Sequence, residues 1–181
     1  MLWYHPHTMG KTAPQVYSGL AGLFIIDDDR SDALSLPRTY GVDDIPLIVQ
    51  DRNFDSSGRL EYRKNRRQQL FGELGDKILV NGTYAPYVDV PRGLVRFRIL
   101  NGSNARRYNF VFSDGRAFYQ IASDGGFLDA PVKRTNMVLA TGERAEIIVD
   151  MKSGDQPVTL MSDAVPGRPD PQPRWQAAGG L

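Results

Sequence analysis

The chain has 181 residues, 41% hydrophobic and 24% charged, which is the balance of a folded globular chain and the size of one domain or one domain plus part of another. Its 22 basic and 21 acidic residues leave a formal net charge of +1, without the basic excess that a dedicated nucleic-acid or membrane-surface binder carries. Cysteine is absent, which excludes disulfides, thiolate zinc sites, iron–sulfur clusters, thiol nucleophiles and thiolate-ligated copper, and histidine occurs only twice.

The first residues, Met1-Leu2-Trp3-Tyr4, form neither the charged start nor the long apolar stretch of a signal peptide. No apolar run approaches the roughly 20 residues that span a bilayer. Gly19-Leu20-Ala21-Gly22-Leu23-Phe24-Ile25-Ile26 predicts a buried strand that stops at Asp27-Asp28-Asp29. Residues 31–40 then predict a polar linker with Pro37 as its stiff point.

From 41 to 163 the pattern is that of consecutive strands. Leu47-Ile48-Val49 and Ile78-Leu79-Val80 are apolar runs of strand length. Val95, Phe97 and Ile99 alternate with Arg96 and Arg98, and Tyr108, Phe110 and Phe112 repeat the period of two. Ala145, Ile147 and Val149 alternate with Arg144, Glu146 and Asp150. Turn pairs punctuate these runs at Ser57-Gly58, Asn81-Gly82, Asn101-Gly102, Asp114-Gly115, Asp124-Gly125, Thr141-Gly142 and Ser153-Gly154. The best helical window, 65–74, is weakened by Gly72. The expectation is a mostly antiparallel, all-β sandwich over 41–163, with Val95, Phe97, Ile99, Tyr108, Phe110, Ile147 and Val149 facing inward. Residues 164–181 have the composition of a disordered tail, with four prolines between Pro166 and Pro173 and a closing Ala177-Ala178-Gly179-Gly180.

Both histidines, His5 and His7, flank Pro6. In an extended segment, positions two apart point to one side about 6.5–7 Å apart, which suits two imidazoles reaching two metal ions or flanking one cluster. The same spacing also fits two surface histidines near a chain end. Arg63-Lys64-Asn65-Arg66-Arg67 is a basic cluster and reads as a solvated loop. Asn81-Gly82-Thr83 and Asn101-Gly102-Ser103 match the glycosylation pattern and read as tight turns.

The run Trp3-Tyr4-His5-Pro6-His7-Thr8, with Gly10-Lys11-Thr12-Ala13 and Gly19-Leu20-Ala21-Gly22-Leu23, resembles the bacterial multicopper oxidases of laccase and cuprous-oxidase type. The resemblance continues through Tyr40-Gly41-Val42-Asp43-Asp44-Ile45-Pro46, Val80-Asn81-Gly82 and Arg98-Ile99-Leu100-Asn101-Gly102-Ser103-Asn104-Ala105-Arg106. It extends to Ile121-Ala122-Ser123-Asp124-Gly125-Gly126-Phe127-Leu128 and Gly142-Glu143-Arg144-Ala145-Glu146, covering about 2–160.

The resemblance implies a cupredoxin-like Greek-key β-sandwich at 41–163 as a second domain, and a partial cupredoxin domain at 1–30 that is the end of the first. It implies copper as cofactor, with His5 and His7 as metal ligands of the type 3 copper pair within a trinuclear cluster, and a periplasmic or extracellular location. The implied reaction couples one-electron oxidation of a small reducing substrate, a phenol or Cu(I), to reduction of dioxygen to water. Where the family reads His-Pro-His-x-His-Gly, this chain has Met9 at the third histidine position. Two imidazoles cannot build a three-copper cluster, so the chain is expected to be inactive alone, a piece lacking its other cupredoxin domains and prone to self-association through the incomplete one. The alternative is a copper-free relative with the same three-domain architecture, an envelope scaffold of the bacterial cell-division type. The retained pair His5 and His7 favours the copper branch. Nucleic-acid and membrane-spanning roles are not expected.

Overall fold

A computed structural model describes residues 1–62, 65–152 and 156–166, with the side chains of residues 67 and 69 outside that description. The expected tail therefore falls mostly outside the described residues, as do the turn at Ser153-Gly154 and the first two members of the basic cluster.

The N-terminal segment opens with a two-stranded antiparallel ribbon, β1 (Leu2–Tyr4) and β2 (Gly22–Phe24), in which Tyr4 faces Gly22. A larger residue there would displace the Tyr4 side chain. The Tyr4 ring lies over the glycine, and a Cβ would come within 2.3 Å of that ring. Between the strands runs a short helix, α1 (Thr12–Tyr17), which the apolar pattern did not predict. Its last two residues, Val16 and Tyr17, are buried. Phe24 and Ile26 remain exposed, as an apolar strand without a full sandwich around it should be.

The linker is shorter in loop than expected. A helical turn, α2 (Asp29–Asp32), starts at a capping box between Asp28 and Ser31, and Arg38 donates to the carbonyls of Asp32 and Leu34.

The remaining strands form two sheets. The larger contains β5 (Thr83–Tyr84), β4 (Lys77–Val80), β3 (Asp44–Arg52), β6 (Leu94–Asn101), β11 (Arg144–Asp150), β8 (Phe118–Ser123) and β9 (Gly126–Arg134), in that spatial order. The smaller contains β10 (Met137–Leu139), β7 (Tyr108–Phe112) and β12 (Leu160–Asp163). Pairing is antiparallel except where β3 runs parallel to β6, a pair joined by a long excursion through α3 (Arg66–Phe71), β4 and β5. α3 lies inside the window 65–74 and is closed at Gly72, whose φ of +82° ends it.

The core lies between the sheets. Val95, Phe97 and Ile99 of β6 and Ala145, Ile147 and Val149 of β11 meet Tyr108, Phe110 and Phe112 of β7. Burial of each such side chain is worth about 1.5–3 kcal/mol. All seven residues expected to face inward do so. The chain is an all-β, cupredoxin-like sandwich. Asn81 and Gly82 both have positive φ, +50° and +78°, as a type I′ hairpin turn needs. Asn101-Gly102 is different. Asn101 is the fully buried last residue of β6, and its amide donates to the carbonyls of Arg106 and Leu139. It braces two loops and does not form the expected turn.

Candidate functional site

His5 and His7 lie just after β1, in extended chain that leads into a turn at Thr8, whose carbonyl accepts from the Lys11 and Thr12 amides. Their ring centroids are 5.8 Å apart with an interplanar angle of 39°. His5 Nδ1 lies 2.9 Å from the carbonyl oxygen of Pro6. A carbonyl only accepts, so Nδ1 is the donor in this contact, and in the neutral ring that leaves the lone pair on Nε2, the arrangement of a metal-ligating imidazole. Trp3 stacks on His5 at 4.3 Å, and its indole lies near the turn between β10 and β11, about 3.4 Å from where a Cβ of Gly142 would be. His7 and Met9 are exposed, Met9 almost wholly (97%).

Among the described residues no group of three or more His, Cys, Asp or Glu could hold a metal ion. Two imidazoles are a chelating pair and fall short of a multicopper cluster, so these residues alone do not fit the implied cofactor. No redox step follows from them.

Two other polar constellations are more elaborate than the histidine pair. On the outer face of β3, β6 and β11, Arg98 pairs bidentately with Asp44 at 2.7 Å for both bonds and reaches Glu146 at 3.2 Å. Arg96 also binds Glu146, through Nε at 2.8 Å, and its guanidinium lies over the Phe127 ring. All four charged side chains are at most 6% exposed. Burial opposes the charge of Arg98, but the Asp44 hydrogen bonds and the Glu146 and Asp44 charges outweigh it and hold its pKa above the ordinary arginine value. The alternation of Arg96 and Arg98 with apolar residues placed them on the outer face. The opposing Glu146 of β11 was the signal that this face is an ion ladder.

The second constellation joins α1 to the sandwich. Arg52 is 3% exposed and donates to the carbonyls of Asp51 and Val16, at 2.7 and 3.0 Å, with its guanidinium over the Tyr17 ring. Nothing in the local sequence pattern singled it out.

A cleft of about 350 Å³ lies between Gln120, Arg134, Glu143 and Arg144. Arg134 donates to Gln120, Glu143 accepts from the Ala140 amide, and Arg144 is tied to Asp124, so its charged groups are already engaged within the protein.

The fold and the motif-bearing N-terminal segment define a cupredoxin-type chain of the kind found in bacterial multicopper oxidases. No protein-family model matches the chain. It is similar to a multicopper oxidase, McoA, from Aquifex aeolicus, with a TM-score of 0.81 and 46% identity over 88% of this chain and 36% of that one. It is also similar to the laccase-like oxidase CueO from Ochrobactrum sp., with a TM-score of 0.85 and 38% identity over 93% of this chain and 37% of that one. Among curated proteins, "Cell division protein FtsP" of Salmonella typhimurium (strain LT2) is 52% identical over 155 residues, 86% of this chain and 32% of the relative. The protein of the same name from Escherichia coli (strain K12) is 50% identical over 155 residues. The chain thus spans about a third of the length of the curated relatives it matches.

Proposed function

We propose that this chain serves as a structural part of an envelope cell-division protein of the FtsP kind, with the sandwich acting as a rigid body and not as a redox centre. The observation that carries the reading is identity of 50–52% to FtsP proteins over 86% of the chain, against 38–46% to the solved oxidases above. One residue fits it: Met9 stands where the oxidase pattern has a third histidine. In this reading residues 1–30 are the end of a first cupredoxin domain, 31–40 the linker and 41–163 the second domain. The further cupredoxin domains cover the exposed apolar side chains of β2, and the location is the periplasm.

A second reading keeps its place because of one feature. His5 with a free Nε2, beside His7, is what an oxidase would contribute to a type 3 copper pair. Under that reading the full protein would oxidise a phenol or Cu(I) and reduce dioxygen to water. The test is to image a fluorescent fusion of the full-length gene product in dividing cells. Enrichment at the division site is expected. An even envelope distribution, together with oxidase turnover by the purified full-length protein, would replace the first reading with the second.

A further inference from the structure

The joint between α1 and the sandwich is made in an unusual way. Of its hydrogen bonds, those that grip the helix go to main-chain carbonyls. Arg52 on β3 donates to the Val16 carbonyl at 3.0 Å, and Asn104, in the loop after β6, donates to the Ala13 carbonyl at 2.9 Å. The Val16 carbonyl, at the end of the helix, also accepts from the Gly19 amide, so the guanidinium adds a charge-assisted bond to an oxygen with two lone pairs, while Ala13 lies in the first turn. Only one side chain of α1 takes part with its own polar atom. The Tyr17 hydroxyl donates to the Glu61 carbonyl at 3.0 Å and accepts from the Asn53 amide at 2.7 Å, while its ring packs beneath Arg52 and against Tyr62. Tyr17 is 1% exposed.

Arg52 ties the joint from the sandwich side as well. Its carboxylate neighbour, Asp51, accepts from the Gly75 amide and from Arg106 through Oδ2, while Oδ1 is buried without a hydrogen-bond partner among the described residues. Without α1 the guanidinium would lose the Val16 carbonyl and the Tyr17 ring and keep the Asp51 carbonyl. Burial already pulls its pKa below the ordinary arginine value.

We propose that Arg52, Asn53 and Asn104 form a seat on the sandwich for a short helix end, one that reads backbone carbonyls plus a single tyrosine and so fixes the N-terminal segment at a set angle. Trp3 lies near the Gly142 turn, and His5 and His7 stand between Trp3 and α1 in the chain. The inference goes beyond the functional reading above and holds for a scaffold and for an oxidase alike.

Hydrogen exchange on the full chain tests it. The amides of Ser18, Gly19 and Leu20, which bond to the carbonyls of Pro14, Val16 and Gln15, report the helix end. Arg52→Met and Tyr17→Phe should each speed their exchange at least about tenfold, while amides of β6 and β11 change by less than about twofold. Ala13→Ser, which keeps the carbonyl, should change nothing. Should Arg52→Met not fold, Asn104→Ala removes one bond from a partly exposed residue and should speed the same amides about threefold. Unchanged α1 exchange in Tyr17→Phe and Asn104→Ala would overturn the proposal. So would uniform acceleration across the sandwich, or a large effect of Ala13→Ser.

Discussion

Replacing Arg98 by methionine is the sharpest perturbation of the sandwich. Its guanidinium gives Asp44 two hydrogen bonds of 2.7 Å and Glu146 one of 3.2 Å, and the three side chains are 3–5% exposed. Glu146 would keep Arg96 as a partner, but the Asp44 carboxylate would lose its only cation within the ladder. Removing one member of a buried pair costs about 3–5 kcal/mol, because the other charge is left desolvated and unpaired. A native state is worth about 5–15 kcal/mol in total, so the loss is a large share of it. At roughly 2–4 °C per kcal/mol for a chain of this length, the thermal midpoint should fall by about 6–20 °C. The double variant Arg98→Met with Asp44→Leu removes both charges together and should recover most of the loss. Circular dichroism melts and urea titrations of the full chain measure both. A fall of less than about 3 °C for Arg98→Met would mean the pair behaves as a solvated one. A double variant that loses the sum of two single losses would refute the coupling directly.

Asn101→Ala leaves the carbonyls of Arg106 and Leu139 and the Ser103 amide without their partner, and should cost about 2–3 kcal/mol in a urea titration. Gly75→Ala would place a Cβ 2.2 Å from the Arg52 amide nitrogen, so β3 must shift; soluble yield and midpoint should both drop, and a variant as stable as the parent would contradict the close approach. Burial raises the Tyr17 phenol above its ordinary pKa, and it drives Tyr108 well above that value. With folded values raised, the stability these neutral phenols contribute is present below about pH 10 and lost as pH rises through the folded values. Absorbance at 295 nm should therefore show part of the eight tyrosines ionising late, with unfolding; a single smooth titration of all eight would contradict the burial.

Period-two alternation made the sandwich legible. Val95, Phe97, Ile99, Tyr108, Phe110, Ile147 and Val149 have one face each, and that face became the core. The parallel pairing of β3 with β6 was not legible, because strand order depends on long-range packing that alternation does not encode. Helix α1 escaped notice because six residues around Pro14 give no apolar stripe; it is held by Arg52 and Tyr17 and not by its own propensity. The histidine pair was visible as a motif, but the Pro6 carbonyl at His5 Nδ1 and the Trp3 ring stacked on His5 were not. Arg96 and Arg98 were placed on the right face by alternation; that the face is buried and paired follows from Glu146 and Asp44, far apart in sequence.

Copper content of the full-length gene product tests the account most directly. The protein should be produced with copper supplied, dialysed against a mild chelator and analysed for metal per molecule. The proposed scaffold role needs no copper cluster, so the account predicts well under about 0.2 copper per molecule and no blue colour. Retention of about three or four copper ions per molecule after the same dialysis would contradict it and return the protein to the oxidases.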